Sequence, residues 1–134
     1  MKLSEATARV IELARQFALA KAAELPAGKS GWVVVRLSDL PPPGPERPEM
    51  TALKQFLRSL PAGLVYQIMA IMYLGRGDYD TDDLLDYYVH LSDVNHTHDY
   101  AIRHMANKIP LSEYLERGLS ELEADGKDVD RVFE

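Results

Sequence analysis

Cysteine is absent from the 134-residue sequence. That excludes disulfides, thiolate metal sites and cysteine nucleophiles, and it permits a reducing compartment. Long apolar runs are missing as well. The longest, Leu64 to Leu74, contains Gln67 and falls far short of the roughly 20 residues that cross a bilayer. The N-terminal residues, Met1-Lys2-Leu3-Ser4-Glu5, lead into polar-interrupted sequence without the apolar core of a signal peptide. A cytoplasmic location with no membrane association is therefore expected. Catalytic frames are missing too. There is no Gly-x-Ser-x-Gly and no phosphate-cradling Gly-x-x-x-x-Gly-Lys, and the carboxylates are scattered along the chain, giving a hydrolase reading no anchor.

What remains has the composition of a globular domain. Hydrophobic residues make up 46% and charged residues 27%, which excludes a fully disordered chain. The length suits one compact domain over 1–134, large enough to bury a core without covalent staples. Net charge is −6 and unevenly spread. Residues 1–60 hold nine basic and six acidic side chains, whereas residues 61–134 hold six basic and fifteen acidic ones. The acidic half repels phosphate backbones, so nucleic acid is not an expected partner.

Helical periodicity dominates the chain. The first helix is expected from Ser4, as N-cap, to Ala23, with Val10, Leu13, Phe17 and Ala20 on one face and Pro26 and Gly28 beyond its end. Gly31-Trp32-Val33-Val34-Val35-Arg36-Leu37 is the β-branched run and predicts a short extended segment near 32–37. A lone strand leaves its backbone groups unpaired, so it needs a partner. The tail Val129–Phe133 and the same segment of a second copy are the candidates. Five of the eight prolines lie between Pro41 and Pro48, making residues 25–48 an irregular, proline-rich connector.

From Pro48 onward the pattern is helical. Met50, Leu53, Phe56, Leu57 and Leu60 form one stripe. Pro61 suits the first turn of the next helix, whose Leu64, Val65, Ile68, Met69, Ile71, Met72 and Leu74 leave no polar side. Such a helix must be surrounded, so residues 61–74 are expected at the centre. Gly75 is expected to end it in the left-handed conformation. Asp80 or Thr81 then caps a helix buried through Leu84, Tyr88 and Leu91. Tyr100, Ala101, Ile102 and Met105 mark another helix at 98–107. The last starts at Pro110 and buries Leu111, Tyr114, Leu115, Leu119 and Leu122. Residues 124–134 read as an acidic, frayed tail. These elements predict a mostly α fold: a compact bundle of about six helices around a central apolar one.

Leu60–Leu119 resembles a bacterial family of small proteins known only as a domain of unknown function. The pieces that carry the likeness are Leu64-Val65, Tyr73-Leu74-Gly75-Arg76-Gly77-Asp78-Tyr79-Asp80, Asn95 with Tyr100, Pro110-Leu111, and Tyr114-Leu115-Glu116-Arg117-Gly118-Leu119. Ile11 to Phe17 is similar to that family's first helix. The resemblance implies a helical fold and a bacterial source, and it implies no activity. Trp32–Leu37 and the proline stretch are unlike the family's acidic linker, so the resemblance implies little about residues 25–48.

Three stretches could carry chemistry. Arg76-Gly77-Asp78 spells an integrin-binding tripeptide, but Arg76 pairing with nearby carboxylates to hold a tight turn is the better account. Asp78, Asp80 and Asp82 have the spacing that opens a calcium loop. The sixth and twelfth positions, which require Gly and Glu, are Asp83 and Val89, so the loop fails. His96-Thr97-His98-Asp99, with His90, Asp93 and His104 nearby, is the metal candidate by residue type. Against it, His96 and His98 point to different sides in either helix or strand. No catalytic, cofactor-binding or metal-binding residue is therefore assigned.

The expected function is a protein–protein interaction or regulatory module without catalysis. Its partner is an unknown protein or a second copy of the chain in a homodimer. The alternative is a small metal-dependent or ligand-binding protein built on the acidic, histidine-containing C-terminal half.

Overall fold

The computed structural model describes residues 1–23, 46–93, 97–108 and 110–133. The extended segment expected at 32–37, most of the proline-rich connector, Asn95 and His96 lie outside these residues. The described chain forms six α-helices: α1 (Leu3–Ala23), α2 (Pro48–Ser59), α3 (Ala62–Arg76), α4 (Leu84–Asp93), α5 (His98–Ala106) and α6 (Leu111–Ala124). A 3-10 turn, Thr81–Asp83, leads into α4. Among the described residues there is no strand, and no helix is long and apolar enough to cross a membrane.

Prolines set three of the helix starts. Pro48 occupies the first turn of α2, while Pro61 and Pro110 stand at the N-caps of α3 and α6. Proline has no N–H to leave unpaired there, and its fixed φ suits helix entry. The start of α5 uses a side chain instead: Thr97 accepts a hydrogen bond from the Tyr100 backbone N–H at 3.0 Å.

α3 occupies the centre, as its sequence requires. From Val65 to Gly75 no residue is exposed, and α6, α4, α5 and α1 pack around it. Each aliphatic side chain so enclosed contributes roughly 1.5–3 kcal/mol relative to exposure. α2 closes the other side by packing on α1 and α5, burying Met50, Leu53 and Leu57.

Gly75 is not where α3 ends. The helix continues through Arg76, and Gly77 takes the left-handed conformation at φ 93°. Its N–H donates to the Leu74 carbonyl (3.0 Å) and the Asp78 N–H to the Tyr73 carbonyl (3.1 Å), a Schellman closure. Gly126, at φ 69°, closes α6 in the same way through Gly126 N–H to Glu123 O and Lys127 N–H to Leu122 O.

The role of Gly75 is contact. A Cβ there would sit 1.7 Å from the Tyr114 carbonyl oxygen and 2.8 Å from the Gly118 nitrogen. A Cβ on Gly118 would meet the Ile71 carbonyl oxygen at 2.4 Å. Two glycines thus let the backbones of α3 and α6 touch.

The acidic tail is packed rather than frayed. Residues 128–132 form a helical turn, with Arg131 and Val132 N–H groups donating to the Asp128 carbonyl, so Val129–Phe133 is not a strand. Val129, Val132 and Phe133 rest against the core. Asp130 accepts hydrogen bonds from the Ser4 backbone N–H (2.9 Å) and Ser4 Oγ (2.8 Å). Ser4 is therefore not the N-cap of α1. It lies inside the helix, and a carboxylate from the far end of the chain satisfies its N–H, where negative charge suits the helix dipole.

Candidate functional site

Two features on the α4 side of the bundle concentrate chemically distinctive side chains. The first is an aromatic seam. Tyr73 comes from the last turns of α3, Tyr87 and His90 from α4, Tyr100 and His104 from α5. Tyr79 comes from the loop between α3 and the 3-10 turn. Tyr79 stacks on Tyr87 with centroids 4.4 Å apart, Tyr87 meets Tyr73 edge-on at 5.6 Å, and Tyr100 stacks on His104 at 5.8 Å. Tyr73 Oη lies 2.6 Å from His104 Nε2, joining the two halves of the seam. These geometries are the favoured ones for ring quadrupoles.

The electrostatics of the seam favour neutral phenols. Burial, then the neighbouring Tyr87, push the Tyr73 pKa above the usual phenol range. Burial also raises Tyr79 and Tyr87, with Tyr87 and Asp78 adding to it for Tyr79 and Asp78 for Tyr87. The Tyr79 hydroxyl is engaged, donating to the Ala70 carbonyl. A general base or nucleophile near neutral pH needs the opposite shift. These tyrosines are hydrogen-bond donors and apolar surface. Tyr73 and Tyr79 direct their hydroxyls to partners inside the protein.

The second feature is the outer face of α4. Leu84 and Leu91 point inward, whereas Leu85 and Val89, one turn apart, are 42% and 47% exposed. Asp83, Asp86, His90 and Asp93 are exposed around them. Tyr100 on α5 is 45% exposed.

The stretches singled out in the sequence do not converge. Arg76 makes a two-pronged pair with Asp78, Nε to Oδ1 at 3.0 Å and Nη2 to Oδ2 at 2.7 Å. Its guanidinium also lies 4.9 Å over the Tyr73 ring. Arg76-Gly77-Asp78 is thus folded on itself as a helix stop. Asp82 pairs with Lys127 at 3.0 Å. Of the two caps expected, Asp80 or Thr81, Asp80 stands at the N-cap of the 3-10 turn without a side-chain cap bond. Thr81 donates its hydroxyl to Asp125.

Asp99 lies between Arg58 and Arg103, His104 joins Tyr73, and His90 is exposed on α4. Among the described residues no three His, Asp or Glu side chains are grouped to hold a metal ion. An open cleft of about 350 Å³ lies over Tyr100, Arg103, His104 and Asn107.

The Tyr73–His104 bond escaped sequence reasoning because its partners are 31 residues apart. The α4 face was within reach. Leu85 and Val89 fall at i and i+4 on the side away from Leu84 and Leu91. From Gly77 to Ile102 the sequence holds seven aspartates and neither Lys nor Arg.

No curated protein and no solved structure matches the chain. Residues 50–124, from the first turn of α2 to the end of α6, match the family described as Protein of unknown function (DUF3775). That span covers more than half of the sequence and includes both the glycine crossing and the aromatic seam, so the chain belongs to the DUF3775 family.

Proposed function

We propose that the protein is a cytoplasmic interaction or regulatory module of a bacterial cell, with no catalytic step of its own. The observation that carries this reading is the exposed pair Leu85 and Val89 on α4, while the Tyr73 and Tyr79 hydroxyls of the seam are engaged and burial holds Tyr73, Tyr79 and Tyr87 protonated. Contact surfaces need exposed apolar anchors; acid–base catalysis needs groups poised to exchange protons. An acidic surface makes nucleic acid an unfavourable partner and another protein a favourable one.

The test is in-cell photo-crosslinking with the full chain. A benzophenone side chain is placed in turn at Leu19, Val89 and Tyr100, which are exposed, and at Ala8, which is exposed on α1, as control. Discrete higher-mass adducts from at least one of the three apolar sites and none from Ala8 are expected. The same faint background from all four positions would overturn the reading.

A second reading rests on Tyr100, Arg103, His104 and Asn107 around one cleft: a small ligand or metal held by the C-terminal half. Elemental analysis and melting with and without chelator separate it from the first.

A further inference from the structure

We propose that the outer face of α4 docks a basic, amphipathic helical segment of another protein. Leu85 and Val89 enter its apolar stripe, and Asp83, Asp86 and Asp93 face its lysines and arginines. This rests on the interaction reading above and names the surface and the chemistry of the occupant.

α4 packs on α3 and on the 3-10 turn that precedes it, so one side is committed to the core. On the other, Leu85 and Val89 make a ridge, continued on one flank by Tyr88, which meets Phe133 edge-on at 5.1 Å. Single exposed apolar residues are ordinary on any protein. Two at helical spacing beside partly buried aromatic rings form a strip suited to i, i+4 anchors of a partner helix.

Asp83, Asp86 and Asp93 are exposed and make no ion pair among the described residues. Asp93 follows Val89 at i+4 and Asp86 precedes it at i−3, which places both carboxylates beside the apolar pair on α4.

A second copy docking α4 against α4 would set aspartates against aspartates, and anionic lipid or nucleic acid would meet the same repulsion. A helix with leucine-type anchors flanked by Lys and Arg meets both features at once.

Adducts from Val89 are digested and the crosslinked segment sequenced. A segment with net positive charge and apolar residues at i, i+3 or i+4 is expected. Made as a synthetic peptide, it should bind the full chain with an affinity that falls at least tenfold between 50 and 300 mM salt. Leu85→Ser with Val89→Ser should weaken binding at least tenfold and keep the salt dependence. Asp86→Asn with Asp93→Asn should weaken it and flatten the salt dependence. Both pairs are exposed, so melting temperature and helical signal should match the parent, and this shows that each variant is folded. Adducts only with a second copy, or with a neutral or acidic segment, would overturn the proposal. So would variants that bind like the parent. Adducts from Leu19 or Tyr100 but not Val89 would overturn it while leaving the interaction reading standing; none from any site would remove both.

Discussion

Gly75→Ala isolates the contact on which the bundle turns. By helix propensity alone the change should stabilise, because alanine is better than glycine in a helix interior by about 1 kcal/mol. The structure says otherwise. The new methyl would stand 1.7 Å from a carbonyl oxygen and 2.7 Å from its carbon, both backbone atoms of α6. No rotamer relieves that clash, so α3 and α6 must part by more than an ångström along the most extensive helix pairing in the fold. Overpacking of this kind costs about 1–3 kcal/mol and sometimes more, and lost dispersion around Ile71, Leu115 and Leu122 adds to it. A net loss of about 2 kcal/mol is expected after the propensity gain.

Urea denaturation followed by circular dichroism measures this loss directly. Gly77→Ala serves as control: no atom lies within 4 Å of its Cβ position, so only the strain of positive φ is felt, roughly 1–2 kcal/mol. Gly75→Ala with Gly118→Ala should lose less than the sum of the singles, because helices already separated for one methyl accommodate the second. A Gly75→Ala protein as stable as the parent, or more so, would refute the crossing.

Three further outcomes are expected. Thr7 is fully buried, and its hydroxyl has no hydrogen-bond partner among the described residues. Thr7→Val keeps the shape and should raise stability by about 1 kcal/mol in the same urea assay; a loss of that size would show that the hydroxyl is satisfied. Asp130 titrates below the ordinary aspartate range, chiefly because the Ser4 backbone N–H donates to it and then because of the Ser4 hydroxyl. A depressed carboxylate stabilises fully above its unfolded pKa and loses that contribution as pH falls through the folded one. Asp130→Ala should therefore melt below the parent at pH 7, with the gap closing under pH 4, and a gap independent of pH would contradict the capping role. Finally, protein purified without chelator should carry no stoichiometric metal and keep its melting temperature in EDTA. A fall in melting temperature would favour the histidine-based reading.

Helix positions were legible because pattern and punctuation agreed. An all-apolar segment between Pro61 and the glycines has only the centre to occupy, and the stripes of α2 and α6 each show one buried face. What could not be read depended on distant residues. Gly75 and Gly77 are equally able to end a helix by local rules. What separates them is the backbone of α6, which only a glycine at 75 admits. Ser4 looks like an N-cap until Asp130 arrives from the other end of the chain. The tail illustrates a misleading average: its acidic composition suggests solvent, yet Val129, Val132 and Phe133 have helical spacing and pack. At the candidate site the α4 ridge was visible in the spacing of Leu85 and Val89. The seam was not, since ring-to-ring geometry between three helices leaves no local trace.

The family match and the packed core have different boundaries. Residues 50–124 take in α3 and three of its neighbours but omit α1, which supplies Leu3, Ala6, Val10, Leu13 and Ala14 to the core and packs on α2, α6 and α3. Burial of Leu3, Val10 and Leu13 is worth about 1.5–3 kcal/mol each, together comparable with the whole stability of a domain, about 5–15 kcal/mol. Removing residues 125–134 also removes Asp130, which ties down the start of α1. A chain of residues 50–124 alone should therefore show helical signal without a cooperative unfolding transition, whereas residues 1–134 should unfold in one step. Calorimetry distinguishes these outcomes. A sharp transition for the shorter chain near the melting temperature of the longer one would mean that α1 is an accessory to the fold and not one of its walls.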